Sequence, residues 1–160
     1  MRVLTILLLV LSLAAIGLTG YLYFNTNVVL TEIECTAADP ADTELFSLLK
    51  DQTERNIFTG TRFDDSPIGD AELYQFYTYT VHLRNETFVR ADVAEVQITP
   101  MNGDILQTEE TEPVYISARS EGTVRGTILT GRDMHNIREL TVTYYLWGLP
   151  FSQRMTYSNQ

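Results

Sequence analysis

The chain has 160 residues and a formal net charge of −10, because it carries 21 Asp and Glu residues against 11 Lys and Arg residues. Such a surface repels nucleic acid and anionic lipid head groups, which excludes a nucleic-acid-binding function. The single cysteine, Cys35, rules out an intrachain disulfide, so a hydrophobic core must stabilise the fold. We expect Cys35 to be a small buried residue on an apolar strand face, with an intermolecular disulfide as the alternative.

The first segment of the chain is apolar. Residues 3–24 include no charged side chain. A helix of this length rises about 33 Å at roughly 1.5 Å per residue, enough to cross a hydrocarbon core of about 30 Å. The sequence therefore predicts a transmembrane signal-anchor helix over 3–24, with Tyr21, Tyr23 and Phe24 at the membrane–water interface.

Charge predicts the orientation of this helix. Arg2 precedes the apolar segment and every Asp and Glu follows it, so residues 1–2 are expected in the cytoplasm and residues 25–160 outside it. A cleaved signal peptide is the alternative, since residues 12–14 are of the kind that signal peptidase accepts. The apolar segment is longer than the roughly 7 to 15 residues of a typical signal-peptide core, which favours a retained anchor.

The remaining residues suffice for a single domain, and its first elements are a strand and a helix. Residues 28–35 read as a strand. Asp39 can cap a helix and Pro40 suits its first position, so a helix is predicted over 41–54 with its leucines facing the core. Residues 59–71 are rich in Gly, Asp, Ser and Pro, which predicts a loop.

After that loop, apolar and polar residues alternate with the period of two that is typical of half-buried strands. Asn102-Gly103 favours the tight turn of a hairpin, and residues 120–122 predict another turn. About seven strands and one short helix indicate a mainly β fold, an antiparallel immunoglobulin-like β-sandwich. The predicted strands after the loop are 77–84, 89–99, 105–108, 114–118, 124–128, 140–147 and 151–157.

Three segments carry a resemblance to a known class of domain. They are Val81-His82-Leu83-Arg84-Asn85-Glu86-Thr87, the strand 93–98, and Ser120-Glu121-Gly122-Thr123 before the strand 124–128. Together they resemble the small immunoglobulin-like modules, among them the FxLYD type, that bacteria display behind a single membrane anchor. The resemblance covers about residues 73–157, and the FxLYD signature itself does not occur in the chain. It implies an extracytoplasmic binding or accessory domain and supplies no catalytic residues.

Catalytic and metal sites have little support in the sequence. His82 lies on the polar face of a predicted strand and His135 in a predicted loop, and neither has a second His or Cys at metal-ligand spacing. No nucleophile motif occurs, so no catalytic residue and no cofactor are predicted.

An acidic loop is the most plausible cation site. Asp64, Asp65, Asp70 and Glu72 could offer the oxygen ligands that calcium prefers, although their spacing is not that of an EF-hand. A solvated turn is the favoured interpretation of this loop. The second acidic cluster, residues 109–112, is interpreted as a charged edge that discourages aggregation.

Two aromatic side chains are candidates for an interface. Tyr145 and Trp147 are expected on the outer face of the last long strand, where large rings are costly to leave in water. Either the helix over 41–54 or the tail around Phe151 covers them, or they contact another protein.

The sequence thus favours a non-catalytic, single-pass, extracytoplasmic module that acts through protein contacts as an accessory or scaffold at the cell surface. Its expected partners are the membrane and another membrane or surface protein. The alternatives are a cation-dependent surface binding protein or tethered hydrolase that uses the 64–72 loop and, more remotely, a pilin-like subunit of a surface filament.

Overall fold

A computed structural model describes residues 2–24, 27–110 and 112–158. In it, a long helix precedes two packed antiparallel β-sheets with nine strands in total. The predicted mainly β sandwich with an apolar N-terminal helix is confirmed, although about seven strands were expected.

Helix α1 extends over Arg2–Phe24. Its segment Val3–Tyr21 has a mean hydropathy of 2.5, and none of it is buried against the rest of the protein. The helix is therefore long and apolar enough to span a membrane. The side chains of Tyr21 and Phe24 are exposed, and that of Tyr23 lies outside the described residues.

The first sheet has the strand order β1-β3-β7-β5-β2 and the second has the order β6-β4-β8-β9. The predicted strands are found, most of them with bounds shifted by a few residues, because pairing with a neighbouring strand sets where each one ends. The strands are β1 Val28–Ala38, β2 Thr61–Arg62, β3 Tyr74–Asn85, β4 Ala91–Ile98, β5 Asp104–Thr108, β6 Val114–Ile116, β7 Glu121–Gly131, β8 Arg138–Leu146 and β9 Leu149–Tyr157.

The core lies between the two sheets and follows the alternation of the sequence. Buried residues of β3 and β7, such as Val81 and Ile128, pack with those of β4 and β8, such as Val96 and Val142. Gly126 of β7 allows a close approach, because a Cβ atom at that position would lie 3.2 Å from Cγ1 of Val96. The alternation predicted for these four strands therefore identifies the core correctly.

The predicted helix is shorter than expected. A 3₁₀ turn over Pro40–Asp42, capped by the carboxylate of Asp39, precedes helix α2 at Glu44–Glu54. The expectation that its leucines face inward is wrong for Leu45 and Leu48, which are exposed. The helical period brings Phe46, Leu49 and Thr53 to the buried face instead. Phe46 and Leu49 join a second core cluster with Ile68, Phe76, Leu106 and Leu129.

The Asn102-Gly103 turn does not form a hairpin. Strand β4 pairs with β6 and β8, whereas β5 pairs with β2 and β7, so this turn carries the chain from one sheet to the other. Gly103 supplies the positive φ of 96° that the turn requires.

The turn predicted at 120–122 lies slightly earlier in the chain. It falls at Ala118 and Arg119, and β7 already begins at Glu121. Arg119 adopts a φ of 54°, and Ala118 is exposed rather than an inward member of a strand. The predicted alternation therefore ends at Ile116.

Cys35 is half-buried on β1 and packs against the main core cluster. Burial raises the pKa of its thiol, and hydrogen bonding with Tyr79 opposes this effect. A thiol with a raised pKa is a poor nucleophile, which is consistent with a structural residue.

A buried ion pair joins the two sheets. Arg138 of β8 binds Asp104 of β5 through Nε to Oδ2 at 3.2 Å and Nη2 to Oδ1 at 2.7 Å, and both side chains are completely buried. Arg138 Nη1 also donates to the carbonyl oxygens of His135 and Ile137, and Asp104 Oδ2 accepts from the backbone N–H of Met101. These bonds replace the hydration that both charges lose on burial.

We expect Asp104→Ala to destabilise the fold by about 3–5 kcal/mol, because it leaves the buried guanidinium of Arg138 without a counter-charge. Chemical unfolding of the full chain in detergent measures this loss. Asp133→Ala, which removes an exposed carboxylate from the neighbouring turn, is the matched control. A loss of less than about 1 kcal/mol, the range of surface ion pairs, would contradict this account of the pair.

Candidate functional site

The acidic loop is organised by its own residues. The Asp64 carboxylate accepts from the backbone N–H of Ser66 at 2.8 Å, which lowers its pKa. Arg62 donates to the carbonyl oxygens of Asp64 and Ser66, and its Nε lies 4.0 Å from Asp65. Buried Ile68 attaches the loop to the core cluster beneath α2. These contacts are those of a structured turn.

The four calcium candidates do not converge. Asp70 and Glu72 lie exposed at and after the start of a 3₁₀ turn at Ala71–Leu73, apart from the Asp64 turn. Across residues 2–24, 27–110 and 112–158, no three His, Cys, Asp or Glu side chains are grouped so as to hold a metal ion. The geometry therefore gives a calcium site at Asp64, Asp65, Asp70 and Glu72 no support.

The two histidines lie apart from each other. His82 is half-buried on β3, its Nε2 is 4.0 Å from Oε1 of Glu34, and no hydrogen-bond partner is found for that nitrogen in the described part of the chain. His135 is exposed in the β7–β8 loop, where its carbonyl oxygen accepts from Arg138. Neither arrangement resembles a base aligned with a nucleophile.

A groove of about 440 Å³ opens on the side of the sandwich where the sheets end in their shortest strands. The two-residue β2 is the edge of one sheet and the three-residue β6 is the edge of the other. The groove is lined by residues 93–97 of β4, by 107–110, 112 and 113, and by Thr61 and Arg125. We call it the edge groove.

Gln107 forms the floor of the edge groove. Its buried side chain donates from Nε2 to the Val96 carbonyl at 2.7 Å and accepts from the Ile98 N–H at 2.9 Å. A side chain of β5 thus pairs with the backbone of β4 as an adjacent strand would. Nothing in the sequence pattern singles out this glutamine, because its role depends on a contact between the two sheets.

The walls of the edge groove are acidic. Glu95, Glu109, Glu110 and Glu112 line it, with Arg125 as the single basic residue of the lining. The side chain of Glu110 is exposed, yet the surrounding walls displace part of its hydration, which raises its pKa, while Arg125 has the opposite effect. The groove therefore offers a surplus of carboxylates to a partner. The sequence predicted residues 109–112 only as a charged edge.

The second surface of interest is the end of the sandwich at which β1 begins, which we call the proximal end. It consists of residues 84–92, 115–121 and 145–149. Strand register brings these segments together, because Val28 pairs with Asn85, Arg84 with Glu121, Ala91 with Ile116, and Asp92 with Tyr145.

Asn85 fixes the loops of the proximal end. Its side chain is fully buried, and its amide nitrogen lies 2.7 to 3.2 Å from the carbonyl oxygens of Val89, Ile116 and Ser117. Its Oδ1 accepts from both the N–H and the hydroxyl of Thr87. The sequence pattern gave no sign of these contacts across the end.

The two aromatic interface candidates lie at this proximal end. Tyr145 is half-buried on the outward side of β8. Trp147 is not on a strand face as expected: it occupies the β8–β9 turn with a φ of 53° and is exposed. The ring of Phe151 stacks on Tyr144 at a centroid distance of 5.9 Å, and Trp147 remains 46% exposed.

No protein-family model, curated protein or solved structure matches this chain.

The Glu110 environment predicts a pH-dependent effect on stability. The folded-state pKa of Glu110 is raised, so its ionisation opposes folding; this cost is absent well below the ordinary carboxyl pKa, grows as the pH rises above that value, and is complete above the raised pKa. We expect Glu110→Gln to raise the melting temperature at pH 7 and to have no effect well below the ordinary carboxyl pKa of 4.5. Glu109→Gln on the neighbouring residue is the control. A stabilisation by Glu110→Gln that is equal at both pH values would contradict this assignment.

Proposed function

We propose that this protein is a non-catalytic, single-pass, membrane-anchored module whose β-sandwich lies outside the cytoplasm and acts through protein contacts as an accessory or scaffold at the cell surface. The observation that carries the proposal is α1, a helix of 23 residues with no buried residue in Val3–Tyr21. An apolar helix whose described residues from Val3 to Tyr21 are not buried suits a lipid environment.

The connection between α1 and the sandwich is short, which supports a role at the membrane surface. The carbonyl oxygen of Asn27 accepts from the N–H of Glu86 at 3.0 Å, so Asn27 already belongs to the sandwich. Only three Cα–Cα steps separate it from Phe24, a reach of at most about 11 Å. A domain on such a tether meets neighbouring membrane proteins more readily than distant soluble ones.

Charge supports the orientation. Arg2 is the first residue of α1, and all 21 carboxylates follow the helix. Positive residues beside a transmembrane helix favour the cytoplasmic side, which leaves the sandwich outside. The resemblance of residues 73–157 to immunoglobulin-like surface modules agrees with this orientation.

The edge groove is the best candidate for the partner site. It is lined by Thr61 of the edge strand β2 and by Pro113 next to the edge strand β6, and an extended segment can add to the edge of a sheet. Its four carboxylates and single arginine favour a partner segment with basic residues. The cation-dependent and hydrolytic alternatives lack comparable support, because the described carboxylates of residues 64–72 do not converge.

A photo-crosslinking residue at position 97, an exposed part of the groove lining, tests the proposal in the full chain expressed in membranes of the source cell. We expect a defined adduct with another membrane or surface protein. Glu109→Lys with Glu112→Lys reverses the charge of the groove and should abolish the adduct, because it repels a basic partner segment.

A crosslinker at position 156, exposed on edge strand β9, is the positional control, and Glu44→Lys with Glu54→Lys on α2 is the charge control. The same adducts from positions 97 and 156, or none from 97, would contradict a partner at the edge groove. Extraction with alkaline carbonate tests the anchor separately, since a spanning chain stays in the membrane pellet.

A further inference from the structure

We propose that the proximal end of the sandwich seats on the lipid surface, with Phe88, Tyr115 and Trp147 in the head-group region of the bilayer that α1 spans. This inference rests on the proposed membrane anchor. It assigns to residues 84–92, 115–121 and 145–149 a lipid-binding role in addition to any protein contact at the edge groove.

The distribution of aromatic side chains carries the inference. Phe88 is 65% exposed, Tyr115 is 51% exposed and Trp147 is 46% exposed. Within residues 27–110 and 112–158, every other Phe and Tyr side chain is buried or half-buried. All three exposed rings of the sandwich thus occupy one end, whereas chance would scatter them. Tyr and Trp are the aromatic side chains that proteins concentrate at membrane–water interfaces, and Phe contributes apolar surface to segments that lie there.

The end that carries these rings is also the end nearest α1. Asn27 is hydrogen-bonded to Glu86 within the 84–92 segment. With at most about 11 Å between Phe24 and Asn27, the proximal end cannot leave the neighbourhood of the bilayer surface into which α1 inserts. The short connection to α1 holds the proximal end beside the membrane permanently. Lipid is therefore the partner that this surface contacts.

An arginine side chain lies against each of two of these rings. The guanidinium of Arg90 lies 4.6 Å from the centroid of the Tyr115 ring, and that of Arg119 lies 4.9 Å from the Phe88 ring. Arg119 makes no ion pair among the described residues, whereas Arg90 is paired with Asp92. A guanidinium beside an exposed ring can bind a lipid phosphate while the ring lies among the glycerol and upper acyl groups.

The distribution of charged residues favours placement of the proximal end against the membrane. The three proximal segments hold three arginines and three carboxylates, so they are neutral overall. The rest of the chain after α1 holds seven basic against eighteen acidic residues. The repulsion from anionic lipid that the net charge predicts therefore acts on the distal part of the sandwich and favours the proximal end facing the membrane.

Trp147 is the single tryptophan of the chain, so its fluorescence reports on this end directly. The full chain is reconstituted in vesicles of phosphatidylcholine with a minority of phosphatidylglycerol, with lipids brominated on the acyl chain as quenchers. We expect blue-shifted emission, quenching by the brominated lipids and protection from aqueous acrylamide.

In the same vesicles, Phe88→Ser with Tyr115→Ser should remove most of the quenching. Arg119→Gln should lower the ratio of seated to unseated protein by roughly fivefold, the value for one basic residue at an anionic surface.

Two matched controls accompany the test. Trp147→Phe with Leu48→Trp moves the fluorophore to an exposed position of α2, which packs near Phe76, nine residues along β3 from Asn85 and thus about 30 Å away. This variant should remain unquenched. Arg55→Gln on the exposed surface after α2 should leave the quenching of Trp147 unchanged.

The outcomes separate the two proposals. If the chain resists carbonate extraction while Trp147 is fully accessible to acrylamide and unquenched by lipid, the seating is wrong and the anchor stands. If carbonate releases the chain from the vesicles, the anchor itself is wrong. Equal quenching of Trp147 and of tryptophan at position 48 would also overturn the seating, because it would show no preferred end.

Discussion

The loops of the proximal end depend on one buried amide. Asn85 ends β3, and its amide nitrogen lies within hydrogen-bonding distance of the carbonyl oxygens of Val89, Ile116 and Ser117, so it links the β3–β4 connection to the β6–β7 connection. A buried amide that lost these partners would leave polar groups without hydrogen bonds, which is costly in a protein interior. The buried ion pair between Asp104 and Arg138 links the two sheets at another place, through charged groups instead of a neutral amide.

The alternation of side chains was sufficient to predict the strands that form the core. Residues such as Val81, Val96 and Val142 lie where a period of two places them, because each of their strands has one face turned to the opposite sheet. The same local pattern could not predict which strands pair. Asn102-Gly103 has the composition of a hairpin turn, yet the chain changes sheets there, since the Asp104 carboxylate is drawn into the pair with Arg138. Leu48 is exposed for a related reason: α2 covers only one edge of the second core cluster.

The candidate surfaces were visible in the sequence only in part. The apolar N-terminal helix could be predicted because its signal is a continuous run of apolar residues, and the acidic segment at 109–112 could be noted for the same reason. Gln107 and Asn85 could not be identified, because each acts through backbone groups distant in sequence. The exposed rings of Phe88 and Tyr115 gave no signal, since exposure is a property of the assembled end. The sequence identified Trp147 as an interface candidate but predicted it on a strand face, because alternation cannot show where a strand ends and a turn begins.

In the proposed seating, the register along β7 sets the height of the edge groove above the membrane. Arg125 of the edge groove lies four residues from Glu121 at the proximal end, which corresponds to about 13 Å along the strand. With that end seated on lipid, the groove lies roughly one helix diameter above the head groups. A partner must then present its binding segment in the shallow layer just outside its own membrane span. Encounter becomes a two-dimensional search among laterally diffusing neighbours, in which the crowding of the bilayer, rather than concentration in solution, determines how often the groove is filled.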